Sequence, residues 1–80
     1  MSMIEVPTDL QVNQPTVTVL GNTFVSIENY KSILEYDVNL IKIKTKLNTI
    51  KICGDKLYLK HITDTEIGIK GIIYSVEYTT

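Results

Sequence analysis

The sequence predicts an all-β domain, a small and mainly antiparallel β-meander curled into a sandwich or open barrel. Composition is the first reason. Ala, Arg and Trp are absent while Ile and Thr abound, so strong helix formers are scarce and β-branched residues dominate. The second reason is the alternation from Ile41 to Ile62, IKIKTKLNTIKICGDKLYLKHI, whose period of two belongs to half-buried strands. The third is punctuation, with turn signals breaking the chain roughly every eight to ten residues. The same spacing leaves a β-solenoid-like stack as an alternative architecture.

Within the central stretch, Ile41, Ile43, Thr45 and Leu47 alternate with Lys42, Lys44 and Lys46. The apolar phase then moves to even numbers at Ile50 and Ile52, and back to odd at Leu57 and Leu59. Two-residue turns at Asn48-Thr49 and Gly54-Asp55 account for both shifts, because residues flanking such a turn share a face. This register pairs Leu47 with Ile50, Thr45 with Ile52, Ile52 with Leu57 and Ile50 with Leu59. One face is then aliphatic and continues to His61. The other carries Lys42, Lys44, Lys46, Lys51, Cys53, Lys56, Tyr58 and Lys60. Across it, Lys46 meets Lys51 and Tyr58, and Lys44 meets Cys53 and Lys56.

Before the meander, residues 1–15 show no sustained pattern and are punctuated by Pro7 and Pro15. They are expected to form an arm with one short helical turn near Thr8-Asp9-Leu10. The domain proper is expected over residues 16–80. It opens with strands at Thr16 to Leu20 and Thr23 to Glu28 around a Gly21-Asn22 turn. Ser32 to Tyr36 is the next strand, and Asp37-Val38-Asn39 leads into the meander. After it, Thr63-Asp64-Thr65 is a polar turn, and Glu66 to Tyr78 forms a strand or a pair of strands. Gly71 stands where the apolar phase of that segment changes, which marks a bulge or bend.

A chain of 80 residues with 44% hydrophobic content is one small domain, able to bury about 60% of the surface its unfolded form exposes. One cysteine excludes an internal disulfide and suits a reducing compartment. No apolar run has the length of a membrane span and no secretory leader pattern opens the chain. A soluble, cytoplasmic protein with no transmembrane segment of its own is expected. The net charge is −1, yet it is polarised. From Ile41 to Lys60 there are six lysines against Asp55, a balance of +5, while two lysines and eight acids elsewhere give −6.

No catalytic, cofactor or metal constellation stands out. Cys53 and His61 are the only soft ligands; they point apart in the expected register, and two ligands do not close a zinc site. Cys53 lacks a recognisable general base. The carboxylate pairs Glu35/Asp37 and Asp64/Glu66 flank turn signals, where acids serve solvation and turn bonding. No phosphate-cradling glycine loop is present. The candidate interaction surface is therefore the lysine face: Lys42, Lys44, Lys46, Lys51, Lys56, Tyr58 and Lys60. It is either a solvated face that blocks stray pairing or a cationic platform for an acidic protein, an anion or anionic headgroups. Nucleic acid is not expected, since Arg is absent and Tyr58 alone is placed for stacking. Tyr30, Tyr36, Tyr74 and Tyr78 are candidate interface aromatics, with packing inside the monomer as the plainer alternative.

The ordered series LGNTFVSIENYKSILEY, IKIKTKLNTIKICGDKLYLKHI and EIGIKGIIYSVEY resembles the YabP/YqfC family of sporulation proteins. The likeness runs through a GN turn, an IENY segment, an ILEY segment, the central turns and a closing G-x-I segment. This chain departs from it at Ser32 and at Asn48, where glycine is usual. The resemblance implies a non-enzymatic protein of the mother cell of endospore-forming bacteria. It would act in spore envelope development, at the forespore surface, as an assembly or adaptor module. It implies a membrane-bound sporulation protein as partner and no catalytic residues or cofactor.

Self-association into a homo-oligomer is also expected. A small sheet has two unpaired edges, the segment Ile72 to Tyr78 is apolar in both phases, and the two oppositely charged regions favour contact between copies.

Overall fold

The computed structural model describes residues 14–79. The arm expected over residues 1–15 thus lies outside the described residues, apart from Gln14 and Pro15. Six strands follow in order: β1 (Thr16–Leu20), β2 (Phe24–Glu28), β3 (Tyr30–Tyr36), β4 (Leu40–Thr45), β5 (Thr49–Ile62) and β6 (Glu66–Thr79). They form one sheet in the order β1-β2-β6-β5-β4-β3, and every pairing is antiparallel. The all-β expectation holds; the solenoid-like stack is not what forms.

The connections are short. β1 and β2 are joined by a turn in which the Thr23 N–H donates to the Leu20 carbonyl. Val38-Asn39 joins β3 to β4, closed by two bonds between Asp37 and Leu40. Asp64-Thr65 joins β5 to β6, where the Thr63 N–H donates to the Glu66 carbonyl.

Connectivity forces the sheet to roll. In a flat sheet β2 and β3 would stand four strand spacings apart, about 19 Å. They are linked by Asn29 alone, at φ 63°, and one residue reaches only about 7 Å. The sheet must therefore curve until these strands approach each other. Burial gives the same answer. Val25, Ile27, Ile41, Ile43, Ile52, Ile67 and Ile69 are each 0% exposed, although no helix covers the sheet among the described residues. The sheet covers its own face, and side chains from both of its ends belong to one apolar cluster.

The bend lies in the long β5–β6 hairpin. The near part of β6 pairs with β2 from Glu66 to Lys70, and the near part of β5 pairs with β4 from Thr49 to Cys53. Between these regions the β5–β6 ladder shifts register three times, at Cys53/Gly54, Asp55/Tyr58 and Leu59/His61. In the middle shift Lys56 and Leu57 stand against Gly71 alone, with Lys56 at φ 55° and Gly71 at φ 140°. Such two-against-one insertions sharpen twist and bend the strand. Gly71 stands opposite this bulge, whose extra residue lies on β5; the phase change expected at Gly71 comes instead at Tyr74, since Ile73 keeps the buried phase of Ile67 and Ile69.

Three further expectations need correction. Gly54-Asp55 is not a hairpin turn: β5 runs through it, and the phase change from Ile52 to Leu57 comes from the bulge at Lys56. Ile52 therefore does not pair with Leu57, nor Ile50 with Leu59. The β4–β5 turn is Lys46-Leu47, not Asn48-Thr49, so Ile41 faces Ile52 and Ile43 faces Ile50. Thr45 closes that turn, its hydroxyl accepting from the N–H groups of Leu47 and Asn48. Leu47 is consequently exposed at the tip instead of packed on Ile50. Finally, the register shift after Leu59 sends His61 to the outer side, opposite Gly68. The faces of the central residues survive all this: Ile50, Ile52 and Leu57 are buried and Leu59 half-buried, while Lys51 lies outside the core.

Candidate interaction surface

The outer face of the β3-β4-β5-β6 half is built by side chains that alternate with the buried isoleucines. Its central row runs Glu35–Lys42–Lys51–Glu77 across four strands. Lys42 Nζ stands 3.7 Å from Glu35 Oε1, and Lys51 lies directly opposite Glu77. Two like charges facing each other at Lys42 and Lys51 are unfavourable; a carboxylate on either side offsets that. The row is charge-balanced.

The other lysines are dispersed. Lys44 sits between Ser32 and Thr49. The expected run from Lys46 through Lys51 to Tyr58 does not form, because moving the β4–β5 turn by two residues moves every cross-strand partner by four. Cys53 lies between Leu40 and Ser75, not between Lys44 and Lys56. Lys46, at the turn, borders a hollow of about 200 Å³ shared with Lys31, Asn29, Tyr30 and Thr65. Lys56 occupies the bulge and Lys60 the register shift beyond it. Tyr58 belongs to the other half of the sheet, in an outer row Tyr58–Lys70–Phe24–Leu20.

The tyrosines divide as well. Tyr30 packs against the core and its hydroxyl donates to the Thr63 carbonyl at 2.7 Å, tying β3 to the far end of the sheet. Tyr36, Tyr74 and Tyr78 are exposed, Tyr74 the most at 69%. Tyr74 is the extra residue of the first β5–β6 register shift, where an unpaired position lets a large ring project.

Sequence reasoning missed the acids of the central row. Glu35 and Glu77 come from strands distant in sequence from the lysines, and a single-strand charge count does not see them. It also missed apolar side chains left outside on β3 and in the turn after it, Leu34 and Val38. The turn acids behave as expected: Asp37 Oδ1 accepts from the Val38 N–H, and Asp64 lies in the β5–β6 turn. His61 and Cys53 sit far apart along β5. Among the described residues no three His, Cys, Asp or Glu side chains stand close enough to hold a metal ion, and no helix is long and apolar enough to cross a membrane.

Comparison with known proteins agrees with the ordered segments. The chain is 29% identical over 75 residues to a Bacillus subtilis (strain 168) protein named "Uncharacterized protein YqfC", covering 94% of this chain and 81% of that protein. The model of the YabP family matches residues 11–80, which takes in all six strands and the bend between them, and the chain belongs to that family.

Proposed function

We propose that this protein is a non-enzymatic assembly or adaptor module of sporulation, acting through protein contacts in spore envelope development. Membership of the YabP family over nearly the whole chain is the observation that carries the reading. The disposition of side chains supports it. The core is closed and aliphatic, and the large apolar groups left outside lie on strand faces and turn tips, where a partner protein reaches them. Tyr36, Tyr74 and Tyr78 are suited to anchor such contacts, since a tyrosine brings large area with few rotatable bonds. The partner we expect is a membrane-bound sporulation protein of the mother cell, with this chain held at the forespore surface.

Affinity capture of the tagged full chain from sporulating cells, followed by identification of co-purifying proteins, tests the proposal. A membrane protein made during sporulation should be enriched over a control lacking the bait, and the enrichment should fall when Tyr74 and Tyr78 are changed to Ser. Capture of no sporulation protein overturns the reading.

An anion-binding module is the second reading, favoured by Lys31 and Lys46 bordering one hollow with Asn29, Tyr30 and Thr65. Lys42 and Lys51 contribute less to it because Glu35 and Glu77 flank them. Titration with inorganic phosphate, followed by NMR of Lys31 and Lys46, separates the two readings.

A further inference from the structure

We propose that the free edge of β1 pairs with β1 of a second copy, antiparallel, about a two-fold axis through Thr18. The inference concerns how the chain meets itself and does not depend on the adaptor reading.

Among the described residues β1 pairs on one side only, with β2. Sheet edges are normally guarded by charge, proline or bulges, and the other open edges of this sheet are. β3 carries Lys31 and Glu35 and two register shifts. β6 beyond Lys70 carries Glu77 and the shift at Tyr74, and β5 beyond Tyr58 carries Lys60 at its last shift. The β1 segment TVTVL has no charge and no proline, and its ladder to β2 is regular throughout. Among the described strands it is the one bare edge.

Its sequence is nearly self-complementary about Thr18. An antiparallel copy centred there sets Thr18 against Thr18, Val17 against Val19 and Thr16 against Leu20. Thr–Thr and β-branched pairs are favourable across strands. The inner row Leu59–Ile69–Val25–Val19 now ends at solvent with Val19 44% exposed. In the dimer it continues onto Val17 of the other copy.

The backbone agrees with this register. The Leu20 carbonyl accepts from Thr23 within the turn, so Leu20, Thr18 and Thr16 direct their polar groups toward β2. By alternation, Val17 and Val19 direct theirs outward. Centred on Thr18, each Val17 meets a Val19 as a hydrogen-bonded pair, and the axis falls on a non-hydrogen-bonded pair with Cα atoms about 4.5 Å apart. The ladder is bounded symmetrically. Pro15, which has no N–H, and Gly21 at φ 57° lie equally far from Thr18 on either side, and each would fall opposite the other.

A five-residue ladder makes a small interface, so association is expected between roughly 10 µM and 1 mM. The experiment is sedimentation of the full chain across that range at low and high salt, with Thr18→Lys, Thr18→Glu and their equimolar mixture. Circular dichroism checks that each variant keeps the fold. The wild type should dimerise, and should persist at high salt because β1 carries no charge. Each variant alone places like charges on the axis and should weaken the dimer about fivefold at low salt; the mixture should restore it. A mass fixed at 9.1 kDa throughout, or association that neither variant weakens, overturns the proposal.

Discussion

Gly71 lies so close under Lys56 that a Cβ built on it would stand 2.6 Å from the Lys56 carbonyl oxygen. This contact is where the long hairpin bends. On one side β6 pairs with β2, and on the other β5 pairs with β4. The roll that buries the isoleucines therefore depends on two backbones approaching where one of them has no side chain.

Gly71→Ala should destabilise the domain by about 2–4 kcal/mol, because the new methyl meets backbone and Ala resists positive φ. Lys56→Gly should act the other way, adding about 0.5–1 kcal/mol by relieving a non-glycine residue held at φ 55°. Urea unfolding of both variants measures this. Equal midpoints for Gly71→Ala and the wild type would show that the bend lies elsewhere.

Ile52 and Lys51 are neighbours on opposite faces of β5, one fully buried and the other outside the core. Ile52→Ala should cost about 2–4 kcal/mol through lost burial and the cavity left behind. Lys51→Ala should stay within about 0.5 kcal/mol. Thermal melts of the pair give the comparison, and a Lys51→Ala loss as large as that of Ile52→Ala would contradict the assigned faces.

The faces of the meander were legible from the sequence although its turns were not, and one cause explains both. A two-residue hairpin and a one-residue bulge each reverse the parity of the apolar positions. Ile52 to Leu57 therefore looks the same whether the chain turns back at Gly54-Asp55 or bulges at Lys56. In β6 the sequence places the change at Gly71, but Ile73 keeps the buried phase of Ile67 and Ile69, and the change comes at Tyr74, the extra residue of the first register shift. The surface was less legible because Glu35 and Glu77 reach the lysine row from other strands. The bare edge of β1 needed the topology, since the residues alone do not say which strand is outermost.

Glu28 and Glu66 stand directly opposite each other in the β2–β6 ladder, a like-charge pair that the rest of the sheet does not explain. Glu66→Lys should convert repulsion to attraction and stabilise the fold by about 0.5–1 kcal/mol at low ionic strength. The gain should shrink as salt shortens the screening length to about 3 Å near 1 M. Guanidinium would mask this dependence, so urea melts at two salt concentrations are the measurement. A gain unchanged by salt would mean that the effect is not electrostatic.

Thr45 is the buried polar side chain of the β4–β5 turn, 2% exposed. Its hydroxyl accepts from the Leu47 and Asn48 N–H groups, at 3.1 Å each, and lies 3.0 Å from both the carbonyl and the amide oxygen of Asn48. Two explanations for a Thr here make opposite predictions. If the methyl group matters most, Thr45→Val should be benign and Thr45→Ser should lose about 1 kcal/mol. If the hydroxyl organises the turn, Thr45→Val leaves two N–H donors without their acceptor and should cost about 1–3 kcal/mol, while Thr45→Ser keeps the bonds. The geometry favours the hydroxyl, so the expected order of stability is wild type, then Ser, then Val. Hydrogen exchange at Leu47 and Asn48 locates the effect: both amides should lose protection in Thr45→Val and retain it in Thr45→Ser. Val more stable than Ser, with the two amides still protected, would assign the position to packing instead.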